Sequence, residues 1–448
     1  MPNVKHLLAA LLAWAPCALP AQTVAPAPED ILAIYQLARD SDPSLWAQEF
    51  EVEVLRERRR EDLSSLLPQL SLSGELSRTR REQKRSGFEG DPSITRNFTQ
   101  ERYGLNLRQA LFNSPARHQV RRSDSQVDRG TAELESVRQH LVVRVAEVYL
   151  DALMAQAAVE LARLEMDAIR AQRERVEGLY AERMAAITDL EEVRARHDLV
   201  RAGLIRAQGE LVVAREKVSE ITGVRHLSFI PLRPEARLPE PEPDDIDVWV
   251  ERALAHNPDV LAATAEVAAA DHGTRSARAQ SYPRIDLLAR YSALDDLDGT
   301  SFGRELEDLA IGVELNMPLY AGGRIGAQTR GARHARERTL QSLEAVRRSV
   351  QSDARAAFQS LASGRSEIRA LEQALRSSER SLEAVDAGYQ ARLRPLADVL
   401  DAQSELFATR LALVRANHEY LVHVFRLRLA AGALGDEDIV ELNAMLLR

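Results

Sequence analysis

Hydrophobic residues recur every seven positions along two long stretches of the chain, which is the spacing of helices that pack as coiled coils. The first stripe runs about 85 Å at 1.5 Å per residue and contains Val120, Val127, Leu134, Leu141, Val148, Ala155, Ala162, Ile169 and Val176. The second contains Leu340, Ala354, Leu361, Ile368, Leu375 and Leu382. Alternating steps of three and four then run from Leu190 to Ile221 and from Val399 to Leu427. The pattern predicts two pairs of long antiparallel helices.

Four shorter segments alternate apolar and polar residues with the period of two that is typical of β-strands. Their apolar positions are Leu70, Leu72 and Leu76; Tyr103, Leu105, Leu107 and Leu111; Ile285, Leu287, Ala289 and Tyr291; and Leu309, Ile311, Val313, Leu315, Met317 and Leu319. Each segment has about ten residues, the length of a tilted strand that crosses a bilayer. Aromatic residues near the segment ends match the girdles of transmembrane strands: Phe112, Tyr282 and Tyr320 at one end, Phe98, Tyr291 and Phe302 near the other.

A half-buried sheet of a soluble domain shows the same alternation and stays an alternative. Two features favour the membrane. The opposite face of these segments carries Arg, Glu and Asp, which are costly in a dry core but ordinary beside water. The flanking helices are also far too long to fold over such short strands.

Four strands cannot close a barrel, and an open strand edge in lipid leaves backbone groups unpaired. Closure therefore requires several chains. Two chains give eight strands, a size that side chains nearly fill, whereas three give twelve and leave a passage. The sequence predicts a homotrimer in contact with membrane lipid.

The two halves of the chain repeat one order of elements. Asp42-Pro43 recurs as Asn257-Pro258, and residues 67–77 recur as 282–292 at the same offset. The predicted regions are a signal peptide at 1–21, a first repeat at 22–223, a proline-rich connector at 224–245, a second repeat at 246–432 and a C-terminal segment at 433–448. The first repeat contains a helix, a β-hairpin at 68–112, a long helix at 115–178 and a helix at 187–221. The second contains a helix, a β-hairpin at 283–320, a long helix at 324–387 and a helix at 396–431.

Composition and the N-terminus narrow the class of protein further. Aromatic residues make up 5% of the 448 residues and charged residues 28%, which favours long water-exposed helices over one thick core. The formal net charge of −9 comes without a basic block, so nucleic acid is not an expected partner. An apolar run from Leu7 to Trp14 and small residues before Ala21 predict export. Cys17, the only cysteine, lies in this leader, so a lipoprotein with a lipidated Cys17 is the alternative. Lipoprotein processing usually has a small residue directly before the cysteine, whereas this chain has Pro16.

The chain lacks the sequence signatures of a catalytic or metal centre. No H-E-x-x-H, G-x-S-x-G or Walker pattern occurs, and the ten histidines are scattered. His197 on the helix seam is interpreted as a packed histidine rather than a ligand. The segment "YAGGRIGAQTRG" (320–331) faintly matches a phosphate-binding loop, but a turn between strand and helix is the favoured interpretation. We expect no enzyme, cofactor or metal.

Three segments resemble the TolC family of outer-membrane exit ducts: "GYQARLRPLADVLDAQSELF" (388–407), "AITDLEEVRARHDLV" (186–200) and "LAAGALGDEDIVELNAML" (429–446). The resemblance covers essentially the whole mature chain. It implies an α+β membrane protein, with a trimeric twelve-stranded barrel in the bacterial outer membrane and a helical tunnel extending into the periplasm. The connector and the C-terminal segment then contribute to an equatorial belt around the tunnel.

The resemblance also assigns roles at the two turns between long and shorter helices. Asp398 and Asp401, three positions apart on one helix face, match acids that form rings around the closed periplasmic mouth. Thr188, Asp189, Tyr389 and Arg394 match the residues that latch this mouth. Capping is the alternative for the acids, since an acid near a helix start suits its free N–H groups. Thr188 and Glu191 also match a capping box.

The helix-turn tips depart from the family pattern. TolC-like ducts often carry Val-Gly-Leu or Val-Gly-Thr there, where a helical hairpin of a periplasmic adaptor docks. This chain instead carries Glu182-Arg183-Met184 and Ala391-Arg392-Leu393. Cationic residues therefore replace both glycines, which predicts an adaptor of another type or one with compensating acids.

The function implied is a passive, gated exit duct of a type I secretion or tripartite efflux system. Its energy would come from an inner-membrane ABC or proton-driven transporter, joined through the periplasmic adaptor, and its cargo would be secreted proteins or small toxic compounds. The alternative is an exported, soluble coiled-coil scaffold without a pore.

Overall fold

The computed structural model describes residues 29–83, 94–233, 237–296 and 306–447. Within these ranges the elements are α1 (Ile31–Ser41), α2 (Pro43–Ser64), β1 (Gln69–Gln83), β2 (Ile94–Phe112), α3 (Ser114–Ala181), α4 (Ile187–Thr222), α5 (Ile246–His256), α6 (Pro258–Ala279), β3 (Arg284–Asp296), β4 (Leu306–Asn316), α7 (Arg324–Gln390), α8 (Leu396–Ala430) and α9 (Asp436–Ala444). The predicted α+β class is confirmed. The predicted signal peptide (1–21) and Phe302 lie outside the described residues.

Two short helices precede each pair of strands, where the sequence analysis predicted one. Asp42 separates α1 from α2 because its carboxylate accepts hydrogen bonds from the backbone N–H groups of Ser44 and Leu45, both at 2.9 Å. Asn257 separates α5 from α6 in the same way and accepts from Asp259 N at 2.9 Å. A proline follows each cap, and proline suits the first helical position because the missing N–H has no partner there anyway.

Two hydrophobic clusters hold the long helices together at different levels. The first lies near the middle of α3, where Tyr149 and Val218 pack with Ile34 of α1, Phe229 of the connector and Ile439 of α9. The second, the turn-proximal cluster, consists of Met166, Ile169, Val176, Leu190, Val193, Val200, Leu396 and Leu400. It joins α3 and α4 to α8 close to the two helix turns.

The connector and the C-terminal helix form a belt at the level of the first cluster. The backbone N–H of Arg233 donates to Met445 O at 3.0 Å, and Leu232 pairs with Leu446 in an isolated antiparallel bridge. Side chains of the long helices reach the same belt, because the Tyr149 hydroxyl donates to Ile230 O at 3.1 Å. These bonds fix the ends of the two halves against the middle of the helical body.

The strands form one antiparallel sheet in the order β1-β2-β3-β4. Residues directly opposite each other in an antiparallel pair share a face. The register pairs Leu72 with Leu105, Leu105 with Tyr291 and Tyr291 with Leu309. Apart from Leu111, Met317 and Leu319, the predicted apolar residues therefore lie on one face of one sheet.

The other face of the sheet carries charge. Glu75 lies opposite Arg102, and Asp286 lies opposite Glu314. The Arg108 guanidinium donates two hydrogen bonds to Asp286, at 2.5 and 3.1 Å. The apolar face is open to the surroundings, with Leu72 78% and Ile311 71% exposed. In the part of the chain that the structure describes, β1 and β4 are sheet edges with a single partner strand each.

Three details of the strands differ from the prediction. β1 and β2 have 15 and 19 residues, so the first hairpin continues beyond its ten-residue apolar part. β4 ends at Asn316, so Met317, Leu319 and Tyr320 lie beyond the strand rather than in the predicted hairpin 283–320. A register shift before Phe112 puts Phe112, and not Leu111, opposite Ile285. Separately, no helix in the described ranges is long and apolar enough to cross a membrane.

Candidate functional site

The turns α3–α4 and α7–α8 lie together because the turn-proximal cluster anchors both of them. Leu190 and Val193 at the start of α4 are buried with Leu396 and Leu400 at the start of α8. Tyr389, in the last turn of α7, packs on the same cluster and is half-buried. The predicted mouth residues are thus held by a shared apolar anchor near the ends of two helix pairs.

Both shorter helices begin without a side-chain cap. α4 starts after Ala186 and α8 after Pro395, and neither residue can accept a hydrogen bond with its side chain. The predicted capping box is therefore wrong: Thr188 is already the second helical residue, and Glu191 accepts from Arg194 Nη1 at 3.0 Å. Asp189 and Asp398 occupy the third helical position, where a carboxylate interacts favourably with the positive end of the helix dipole.

The two predicted ring acids are each paired with an arginine. Arg394 lies about one helical turn before Asp398 and donates through Nη1 to Asp398 Oδ2 at 3.0 Å. Arg196, on α4, donates through Nη2 to Asp401 Oδ1 and through Nη1 to Ser404 Oγ at 3.0 Å. The role of Arg196 was missed by the sequence analysis, because it depends on how α4 and α8 face each other rather than on spacing along the chain.

The Asp189 carboxylate lies near enough to Tyr389 to act on its hydroxyl electrostatically. Burial raises the pKa of the Tyr389 hydroxyl above its ordinary value, and the nearby Asp189 carboxylate raises it further, while Arg175 lowers it. Arg394 leans over Gly388, where an added Cβ would lie 2.9 Å from Arg394 Cγ. Within one chain Arg394 pairs with Asp398 rather than with Asp189, and Thr188 is exposed.

The two tips have the same backbone geometry. Arg183 and Arg392 have φ angles of 59° and 60°, in the left-handed region that favours glycine. Each tip makes the paired backbone bonds of a Schellman motif. Met184 N donates to Leu179 O and Leu393 N donates to Gly388 O, both at 2.8 Å. The side chains of the tips point into solvent, with Leu393 82% exposed.

Glycine at either tip is expected to stabilise the protein. A residue with a side chain is destabilised by about 1–2 kcal/mol in the left-handed region, and glycine avoids this strain. Part of the gain is offset because glycine also gives the unfolded chain more conformational entropy. We expect Arg183→Gly and Arg392→Gly each to raise the free energy of unfolding by about 0.5–1 kcal/mol. Thermal unfolding of the purified protein measures this gain. Glu182→Gly and Ala391→Gly are matched controls with ordinary negative φ, and equal gains there would contradict the strain.

The remaining motifs have structural roles. His197 is buried on the seam of α4, and Arg173 Nη1 lies 3.2 Å from its Nε2. Gly322 and Gly323 have left-handed φ angles of 60° and 82° in the turn from β4 to α7, and β4 is antiparallel to β3. Residues 320–323 therefore form a turn between strand and helix, as the sequence analysis favoured, and residues 324–331 begin α7. Among the described residues there is no group of three or more His, Cys, Asp or Glu that could hold a metal ion.

Comparison with known proteins decides the family. The sequence profile described as "Outer membrane efflux protein" matches residues 34–224 and 249–433. The chain belongs to this family. The outer membrane efflux proteins include TolC and related channels, and the predicted TolC-family resemblance is confirmed. The protein lies in the bacterial outer membrane and extends into the periplasm.

Individual relatives cover nearly the whole chain. The outer membrane protein TolC of Vibrio cholerae is 31% identical over 421 residues, or 93% of each chain. The alkaline protease secretion protein AprF of Pseudomonas aeruginosa is 28% identical over 407 residues, 90% of this chain and 85% of AprF. The crystal structure of CusC has a TM-score of 0.79 at 21% identity and covers 92% of this chain and 96% of CusC. That of VceC from Vibrio cholerae has a TM-score of 0.78 at 19% identity, with 90% and 96% covered.

Proposed function

We propose that three copies of this chain form one outer-membrane duct whose twelve-stranded barrel is built from three four-stranded sheets. The observation that carries the proposal is a sheet with one exposed apolar face, one charged face and two open edges. Lipid covers an apolar face, water wets a charged one, and neighbouring subunits pair the edges. The same order of helices and strands in both halves supports an internal repeat, which would arrange the paired strands and helices around the axis.

The duct would export cargo that an inner-membrane transporter delivers. The TolC and AprF relatives are named for outer-membrane and protease-secretion roles, and the family acts with periplasmic adaptors and inner-membrane transporters. By this likeness the chain serves type I secretion or tripartite efflux. A periplasmic adaptor would link it to an ABC or proton-driven transporter. Transport through such a duct needs no catalytic residue.

The helix turns would form the periplasmic mouth and its gate. Asp398 and Asp401 of three chains would form a ring around a narrow opening. Asp189 acts electrostatically on Tyr389 within one chain, whereas Arg394, which is 60% exposed and paired with Asp398, would reach Asp189 or Thr188 of a neighbouring chain. The latch would therefore have one contact inside each subunit and one between subunits.

The tips would present a cationic docking surface. Arg183 and Arg392 lie one residue before Met184 and Leu393, which are both exposed. An adaptor that docks here would need acidic residues facing the arginines and apolar residues facing Met184 and Leu393. Charge complementarity of this kind mainly selects the partner and speeds association.

Two measurements on the full-length protein test the duct together. Outer-membrane fractions should contain a heat-modifiable trimer, and the purified trimer should give single-channel conductance in planar bilayers. A water-soluble monomer without conductance would instead support the exported scaffold.

Removal of the ring acids is expected to weaken block by multivalent cations. Rings of carboxylates attract cations at a pore constriction, so Asp398→Asn with Asp401→Asn should reduce block of the conductance by a trivalent cation such as hexamminecobalt by about tenfold or more. The concentration that halves the current measures the effect. Asp386→Asn, which removes an acid of α7 bonded to Gln390, is the matched control. Unaltered block in the double variant would contradict the proposal that these two acids line the passage.

A further inference from the structure

Arg196 forms a link between the two helix pairs that differs from every other ion pair near the turns. Its two terminal nitrogens bind two residues of α8, Asp401 and Ser404. Arg194 of α4 forms ion pairs with Glu191 of the same helix and with Glu177 of α3, so these pairs stay within the first helix pair. The Arg394 pair joins α8 only to the turn before it. The Arg196 guanidinium thus joins α4 to α8 by polar contacts, as Leu190 and Leu400 join them by an apolar one.

The partners of the Arg196 link differ in exposure. The Arg196 side chain is 28% exposed, whereas that of Asp401 is 70% exposed. Arg196 also acts on Glu165 of α3: burial raises the pKa of this carboxyl, and the Arg196 charge lowers it again. The arginine is therefore anchored on the α3–α4 side, between two acids. Asp401 is the more exposed partner and lies on the solvent side.

We infer that Arg196 locks α8 against α4 in the closed duct and at the same time neutralises Asp401. This inference rests on the proposed function, because it assigns a gate contact within the proposed mouth. Movement of α8 away from α4 would break both hydrogen bonds of Arg196. The Asp401 carboxylate would then face the passage without its counter-ion. Opening and cation selectivity would thus be coupled: the mouth would gain up to three negative charges as it opens.

The inference predicts two separable effects of Arg196→Ala in the full-length trimer. Loss of a partly exposed, doubly bonded ion pair in each of three chains should raise the open fraction about tenfold or more. Release of Asp401 should also lower the hexamminecobalt concentration that halves the current. Arg196→Ala with Asp401→Asn should keep the raised open fraction but lose the tighter block. Planar-bilayer recordings give both quantities.

Further variants separate charge from geometry and folding. Arg196→Lys keeps the positive charge but cannot bind Asp401 and Ser404 together. The lysine variant should therefore open more often than the wild type, whereas its block by hexamminecobalt should stay as in the wild type. Arg196→Gln keeps the aliphatic stem and serves if the alanine variant yields no trimer. Arg194→Ala, two residues away on the same helix, is the matched control and should leave both quantities unchanged.

The outcomes distinguish this inference from the duct itself. A conducting wild type with unchanged open fraction and block in Arg196→Ala and Arg196→Gln overturns the lock alone. A raised open fraction without tighter block overturns the neutralisation of Asp401. A wild-type protein that never conducts overturns the proposed duct, and the inference falls with it.

Discussion

Replacement of Tyr389 by Phe together with Arg394 by Ser is expected to raise the conductance of the duct by opening its mouth. Tyr389 would lose the hydroxyl on which the Asp189 carboxylate acts, and position 394 would lose the cation that pairs with Asp398. Exposed polar contacts contribute about 0.5 kcal/mol each, so the loss of two contacts in each of three chains would shift the equilibrium by about 3 kcal/mol, or roughly 150-fold. Single-channel recordings would show a larger mean conductance and more frequent open states.

The sequence of residues 180–193 aligns with that of residues 389–402, and this alignment offers the control for the latch variant. Tyr180 is the counterpart of Tyr389 in the first half, and Arg392 precedes Arg394 by two residues. Tyr180→Phe with Arg392→Ser makes the same chemical changes outside the latch and should leave the conductance at the wild-type value. If the latch variant behaves like this control, the latch residues have been assigned wrongly.

Replacement of Ile311 by Arg is expected to prevent assembly in the membrane. Ile311 lies in the middle of β4 on the apolar face, opposite Ala289. An arginine facing lipid near the bilayer midplane costs about 2–4 kcal/mol in each chain, and a trimer incurs that cost three times. The heat-modifiable trimer should therefore be lost from outer-membrane fractions.

Gly312 provides the matched control for the lipid-facing variant. It is the next residue of the same strand and faces the charged side, and nothing lies within 4 Å of a Cβ added there. Gly312→Arg would place the same side chain in the wet interior, where charge is tolerated, and should assemble like the wild type. Equal assembly of both arginine variants would mean that lipid does not cover this face of the sheet.

The α+β class and the single four-stranded sheet could be predicted because their signals are periodic. A stripe with period seven and four rows with period two each repeat a local rule many times, so single exceptions do not obscure them. The register of the sheet then agrees with the alternation, as at Leu72, Leu105 and Tyr291. A helix boundary depends on only one or two residues, and the sequence analysis missed two of them. Asp42 and Asn257 each divide a helix that looked continuous.

The contacts of the mouth could be predicted only in part. The resemblance assigned Asp189 and Tyr389 to one latch; in the structure the Asp189 charge acts on the Tyr389 hydroxyl, and the latch itself stays a prediction. It gave no reason to notice Arg196, because the Arg196–Asp401 pair depends on the relative rotation of α4 and α8. The capping box failed for a related reason. The T-x-x-E pattern is present, but the helix begins one residue before Thr188, which leaves the threonine inside the first turn.

The open edges of the sheet have a consequence for biogenesis. A single chain in the periplasm exposes a leucine-covered sheet and two unpaired strand edges, which is a surface that aggregates in water. In the proposed trimer, the sheet therefore becomes stable only where lipid and two further chains cover it. If the proposed trimer forms reversibly from chains that are mostly free, its amount rises with the third power of chain concentration, so halving the supply leaves about one eighth of the ducts. A cell would lose export capacity far faster than it loses the protein.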